Sequence, residues 1–368
     1  MMGYQTKIHR FEEQKQLAEQ FRESILRGIP YTHYWTLFAV PKTCKGDSPE
    51  TRVILAPENY WYMNQLLLYQ PLYELVDNSL ISDKFNPFFC NFHDTVYRIC
   101  QNPEKESYDI RKMGKNTPKE LNMLIHRYYK RLLQTNEEQT LLDYFEKDLN
   151  SSVFVIPRNY GGEILQKDDG NPDGGYGTGQ RNVIATAMVY LYNVFKNLMV
   201  SGTSISNSRI RDVKVSSHGD NWLHSYPANC PWLSIQNQNY YDFGFTFKGE
   251  VIRSQDITQH ELMGFKICVD GTSGLFVGWR PYAKTIKSLY FNRRSFKEKQ
   301  IQAAYEAGII RSLILVDCWE NKSAYLLNAL SQRLGSTPSI ATDSKTAEYI
   351  EILESTGWSP KSAWRERN

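Results

Sequence analysis

Gly170-Asn171-Pro172-Asp173-Gly174-Gly175-Tyr176-Gly177-Thr178-Gly179-Gln180-Arg181-Asn182 is the stretch that decides the fold. It is a glycine-rich loop leading into an apolar segment, residues 183–200, whose composition predicts a helix. Farther along, Ser217-His218-Gly219-Asp220-Asn221 lies between Val213, Val215 and Trp222, Leu223, a pattern that predicts two strands joined at a Gly-Asp turn. The loop alone is a weak signal. It does not continue to the lysine of a P-loop, and the spacing of Gly175, Gly177 and Gly179 is not the dinucleotide fingerprint. Loop, helix and then a strand–turn–strand with an acid at its tip is a far more specific order.

Each piece has a chemical reading and a bland one. Asp220, carried on a tight turn, projects a carboxylate where a divalent cation could bind, since magnesium prefers oxygen ligands and needs only one or two from protein. Gly-Asp and Asp-Asn are also common turn pairs. Thr178 and Asn182 fall on the first helical turn after the loop, where their side chains could bond a ribose 2′-hydroxyl. Lys42, Lys45 and Arg52 cluster ahead of a strand and could neutralise a triphosphate, with arginine offering bidentate geometry. A solvated basic loop accounts for them equally well. Lys248 ends the segment Phe243-Gly244-Phe245-Thr246-Phe247-Lys248, at a place suited to a general acid.

The bulk numbers set wide bounds. The chain has 368 residues, 41% of them hydrophobic and 23% charged, as expected of a folded protein with more than one subdomain. A net charge of +3 does not by itself argue for a nucleic-acid partner. The six cysteines, at 44, 90, 100, 230, 268 and 318, form no CxxC pair, and neither a zinc site nor a disulfide framework is expected. The apolar runs fall short of a membrane span, and the N-terminus lacks the apolar core of a signal peptide.

Around these motifs the periodicity predicts a helix over about 10–27, strands over Tyr34–Val40 and Thr51–Ala56, and a helix from Pro57 to about Val76 that Pro71 should bend or break. Phe88–Phe92 reads as a short buried strand closing near Asp94, and residues 103–118 as a polar loop. A single helical stretch is expected over 118–150, then strands at Val153–Ile156 and Glu163–Leu165. Strands are expected again at Phe243–Lys248 and Leu262–Ile267, with mostly helix after about 280.

Taken together, the pieces resemble the RNA-dependent RNA polymerases of positive-strand RNA viruses, among them the astrovirus-like and potyvirus-like group, over residues 36–290. Pro41-Lys42, Lys45 and Thr51-Arg52 resemble the basic motif F. Gly170–Gly174 with Thr178 and Asn182 resembles motif B, whose family pattern is GNPSG followed by a threonine and an asparagine. Gly219-Asp220-Asn221 resembles motif C, Phe243–Lys248 motif D, and Leu262-Met263-Gly264-Phe265 motif E. The resemblance implies an α+β right-hand polymerase with an antiparallel palm sheet. Its fingers would be residues 1–82 and an insertion over 101–165, its palm 83–100 and 166–275, and its thumb 276–368. The N-terminal segment is short for the family, as in a polyprotein fragment or a chain completed elsewhere.

What the resemblance implies chemically is RNA-templated nucleotidyl transfer with two Mg²⁺ (or Mn²⁺) ions. Its partners would be an RNA template, a primer or product strand, nucleoside triphosphates and other viral replication proteins, in replication complexes of the host cytoplasm. Asp220 would bind metal with Asn221 beside it. Lys42, Lys45, Arg52, Gly174, Thr178 and Asn182 would meet the nucleotide, and Lys248 would act as general acid. Asp173 stands where the family has serine, and Asn221 where it has a second acid.

Motif A, normally two aspartates five apart, maps onto Phe88–Ile99, which holds the single acid Asp94. With Asp94 as metal ligand, Ile99 takes the ribose-sensing position. With Asp94 as the ribose-sensing residue, Phe89 has replaced the ligand and the enzyme is crippled. The first alignment is favoured because Asp94 closes an apolar strand. The second would make the chain an inactive homologue that binds RNA or scaffolds a replication complex. A third reading, a nucleotide-binding α/β enzyme, requires a parallel sheet.

Overall fold

The turn at Gly219-Asp220 forms as its residue pattern demands. In the computed structural model, strand β6 (Lys214–His218) pairs antiparallel with β7 (Asn221–Tyr226), His218 opposite Asn221. Gly219 has φ +64°, a left-handed conformation that glycine adopts without strain. The structure describes residues 7–29, 33–42, 50–77, 91–158, 161–167, 170–171, 177–262, 264–271, 274–290, 297–317 and 320–335. The chain divides into two compact units, Met1–Lys84 with Asn102–Arg253, and Phe85–Gln101 with Ser254–Asn368.

In the first unit the hairpin belongs to a four-stranded antiparallel sheet in the order β6-β7-β3-β8, with β3 spanning Glu104–Asp109 and β8 Ile252–Arg253. This sheet is the principal correction to the sequence reading. The stretch 103–118, expected as a loop, supplies an interior strand and the short helix α4 (Met113–Asn116). Its polarity is misleading because the polar groups are satisfied inside. Glu106, 1% exposed, accepts hydrogen bonds from Tyr226 Oη (3.1 Å), Ser234 Oγ (2.5 Å), the Ile235 amide (2.8 Å) and Arg253 Nε (3.1 Å). A buried carboxylate with four donors escapes the penalty an isolated one would meet. Tyr108 is buried against Trp222 and Phe247 and shares a hydroxyl contact of 2.7 Å with Tyr240.

A second sheet has the order β2-β1-β4-β5: β1 Trp35–Lys42, β2 Glu50–Pro57, β4 Ser152–Val155 and β5 Ile164–Lys167. Its hairpins are antiparallel, and β1 runs parallel to β4. Helix α1 (Lys7–Leu26) packs on α2 (Asn59–Asp77) through Phe21, Tyr60 and Trp61. Pro71 neither ends nor breaks α2. It removes a hydrogen bond to the carbonyl of Leu67, and both residues lie on the exposed side, where water can take the acceptor.

The stretch 118–150 forms two helices, α5 (Lys119–Leu132) and α6 (Asn136–Asn150). Thr135 divides them by a capping box, accepting from the Glu138 amide while Glu138 accepts from the Thr135 amide, each at 3.1 Å. Helix α7 (Thr178–Ser201) starts at the end of the glycine loop. It is long and apolar enough to cross a membrane by length and composition, and 56% of that stretch is buried in the protein. Ala185, Ala187, Val189 and Val194 are among its core residues. Phe243–Lys248 makes an isolated bridge between Phe247 and Ile110 rather than a strand, and α8 (Asn237–Tyr241) precedes it.

In the second unit the order is β11-β10-β9, with β9 Glu261–Leu262, β10 Phe265–Val269 and β11 Phe276–Trp279. The single strand expected over Leu262–Ile267 is thus a hairpin turning at Gly264. Asn91 and Phe92 open helix α3 (Asn91–Ile99), which packs on β11, so the expected strand does not reach Asp94; residues 88–90 lie outside the described part. Helix α3 belongs to the same compact unit as the C-terminal strands and helices. Helices α9 (Tyr282–Tyr290), α10 (Lys299–Asp317) and α11 (Asn321–Leu334) follow, and Arg280 grips the buried Asp317 with two bonds of 2.7 Å.

Candidate active site

Two carboxylates meet at one end of the hairpin sheet. Asp109 is the last residue of β3 and lies opposite Asn221, the first residue of β7. The Ile110 amide donates to the Asp220 carbonyl at 2.9 Å, fastening the turn to the end of β3. Burial, and next the negative charge of Asp109, raise the Asp220 carboxyl above its ordinary value. Asn221 Nδ2 donates to Asp220 Oδ1 at 3.2 Å.

Lys248 is held to the same corner twice. Its amide donates to the Asp109 carbonyl at 2.8 Å, and its Nζ lies 3.0 Å from Asp109 Oδ2. The other carboxylate oxygen, Asp109 Oδ1, is buried with no hydrogen-bond partner. An orphaned carboxylate oxygen beside a second, destabilised carboxylate is a donor set that fits a hard divalent cation.

The glycine loop is tied to the segment that follows Asp109. The Gly170 amide donates to the Thr117 carbonyl (3.1 Å) and the Asn171 amide to the Gly114 carbonyl (2.5 Å). Gly170 has φ +81°, and a Cβ there would fall 2.7 Å from the Gly114 carbonyl oxygen and 2.9 Å from that of Lys115, so a side chain cannot be accommodated. Asn171 Nδ2 donates to Asn182 Oδ1 at 3.2 Å. One turn later, Thr186 Oγ1 donates toward the carbonyls of Asn182 (2.8 Å) and Gly219 (3.0 Å). Asn182 and Thr186 of α7 thereby lie against the Gly219-Asp220 turn. Thr178 is the first residue of α7, half-buried, behind Gly177 at its cap.

The sequence-predicted residues therefore divide. Asp220, Asn221, Lys248 and Asn182 are brought together, with Thr178 on the first turn of the same helix as Asn182. Lys42 closes β1 opposite Glu50, and Arg52 lies in β2 opposite Val40. Lys45, Asp173 and Gly174 fall outside the described residues. Asp94 is exposed on α3 in the second unit, and the acid whose charge acts on Asp220 is Asp109. Gly114 stands five residues after Asp109. The available signal for Asp109 is the pair Tyr108 and Ile110 flanking an acid in strand alternation; the charges of Glu104, Lys105 and Glu106 obscure it.

No model of a protein family matches the chain, and no curated protein does. Solved structures do match. One is the crystal structure of an insertion-loop deletion mutant of the RNA-dependent RNA polymerase of a human picobirnavirus, with a TM-score of 0.63 and 13% identity, covering 92% of this chain and 65% of that one. Another is the 3Dpol RNA-dependent RNA polymerase of a sicinivirus, with a TM-score of 0.63 and 13% identity, covering 92% of this chain and 71% of that one. The chain thus spans about two thirds of the length of these polymerases. Its antiparallel hairpin sheet excludes the reading as a parallel α/β nucleotide-binding enzyme. The chain has the mixed α and β fold of the viral RNA-dependent RNA polymerases.

Proposed function

We propose that the chain is an RNA-directed RNA polymerase that adds nucleoside monophosphates to a primer 3′-hydroxyl on an RNA template and replicates a viral RNA genome. The observation that carries this reading is the meeting of Asp109 and Asp220 at adjacent strand ends, within a fold shared with viral polymerases. The hairpin sheet is the palm in this reading, the β1–β2 hairpin belongs to the fingers, and the helices after β11 form the thumb.

Asp109 and Asp220 would hold the divalent cations, Mg²⁺ or Mn²⁺, which when bound neutralise the triphosphate and the attacking oxygen. Lys248, held against Asp109, is placed to give a proton to the leaving pyrophosphate. Asn182 and Thr178 select the ribose, and Lys42, Lys45, Arg52 and the loop at Gly174 meet the nucleotide. The partners are an RNA template, a primer or product strand, nucleoside triphosphates and other viral replication proteins, in the host cytoplasm. The kinship with the astrovirus-like and potyvirus-like group rests on the motif residues quoted above.

The alternative of an inactive scaffolding homologue draws on the single acid in Phe88–Ile99. Asp109 supplies the carboxylate that stretch lacks, which favours the active reading. Purified protein on a primed RNA template is expected to extend the primer with Mg²⁺ or Mn²⁺, and absence of extension with both ions refutes the proposal.

A further inference from the structure

We infer that Asn171 is a positioning residue that sets which end of the Asn182 side-chain amide faces the incoming nucleotide, and so tunes discrimination between ribose and deoxyribose. The inference rests on the polymerase reading, and goes beyond it in assigning a role to a residue that touches no substrate.

Three observations support it. Asn171 is 2% exposed and its backbone is fixed by the bond to the Gly114 carbonyl, behind a Gly170 that tolerates no side chain. Asn171 is therefore held at a set distance from the segment carrying Asp109. Its Nδ2 donates to Asn182 Oδ1, and because an amide is planar, this turns Asn182 Nδ2 away from Asn171. Finally, Asn182 is placed beside the turn: its backbone carbonyl accepts from Thr186 Oγ1, which also bonds the Gly219 carbonyl, and an ideal Cβ on Gly219 would lie 4.0 Å from Asn182 Cβ. The Asn182 amide is thus aimed from beside the Asp220 turn, with its donor end as the end available to a sugar oxygen.

The same pair leaves one buried polar atom without a partner. Asn171 Oδ1 has no hydrogen-bond partner. Rotating both amides together would let Asn182 Nδ2 donate to Asn171 Oδ1, would leave Asn171 Nδ2 in the unpartnered position, and would present Asn182 Oδ1 instead. The pair has two states that show opposite hydrogen-bonding characters, and the state seen here keeps the donor outward. A buried acceptor left without a partner is the kind of local cost found where geometry serves a function.

The test is primer extension with matched ribo- and 2′-deoxyribonucleoside triphosphates, comparing kcat/KM for the two sugars in wild type, Asn171→Ala, Asn182→Ala and the double variant. One hydrogen bond to the sugar is worth roughly tenfold in this ratio. Asn171→Ala and Asn182→Ala should each reduce discrimination by about that factor. The double variant should fall no further, since both act through one amide. Melting curves check the fold, and Asn171→Ser, which is shorter but still polar, replaces the alanine variant if that one does not fold. Unchanged discrimination in Asn171→Ala, or losses that add in the double variant, overturns the inference while leaving the polymerase reading intact. A wild-type protein that extends with neither sugar overturns both.

Discussion

β3 and α3 have exchanged the roles their compositions suggest. Glu104-Lys105-Glu106-Ser107-Tyr108-Asp109 is polar enough to read as a loop, yet it is an interior strand with Glu106 1% exposed. The apolar stretch before Asp94 reads as a buried strand, yet Asn91–Ile99 is a helix packed on β11, with Phe92 3% exposed and Asp94 on its outer side. Apolar content tells how much of a segment is buried. It does not tell which hydrogen-bond ladder the segment joins, and a polar segment can be central when neighbours supply its donors.

The sharpest way to break this comparison is to remove one acid from each element. Asp109→Ala is expected to lower primer extension by at least about 10³-fold, and Asp220→Ala similarly, because in the proposed mechanism each would remove a ligand of the cations that stabilise transition-state charge. Asp94→Ala should leave extension within about twofold of wild type, a small effect in free-energy terms. Extension lost in Asp94→Ala and retained in Asp109→Ala would return the metal site to α3.

A second test concerns why β3 stays buried. Glu106→Leu should cost about 3–5 kcal/mol in denaturant unfolding, because Arg253, Tyr226, Ser234 and the Ile235 amide lose a shared acceptor. A cost below about 1 kcal/mol would mean that the apolar neighbours alone hold the strand.

Asp148 gives the opposite sign and sharpens the point. It accepts one side-chain bond, from Trp35 Nε1 at 2.7 Å, and burial pushes its carboxyl up to about 6 from an ordinary 3.8. The folded protein therefore binds this proton more tightly than the unfolded chain does. The penalty grows as pH rises from about 4 to about 6 and is constant above that. Asp148→Asn keeps an acceptor for Trp35 and should stabilise the protein by about 2–3 kcal/mol at pH 7.5, with the gain vanishing near pH 4. A gain independent of pH would locate its cause elsewhere. The smallest effect belongs to Asp94→Ala, expected within about 0.5 kcal/mol in the same unfolding assay, as for other exposed positions.

Legibility followed the range of the interactions. The β6–β7 turn, the β1–β2 hairpin and α7 were readable because their signals are local: a Gly-Asp pair between alternating apolar residues, and a long apolar helix after glycines. The break between α5 and α6 was also local, in Thr135 and Glu138, but a continuous helical periodicity on both sides masked it.

The sequence by itself therefore determined the turn that carries Asp220, the helix that carries Thr178 and Asn182, and the order in which they occur. Only the tertiary structure decided that Asp109 is the acid beside Asp220 and that Asn171 holds Asn182. Both assignments depend on partners far apart in the chain: β7, β8 and Ser234–Ile235 for β3, and Gly114 for the glycine loop. A carboxylate surrounded by charged neighbours looks solvated until the chain brings its donors to it, and no local pattern records donors that arrive more than a hundred residues later.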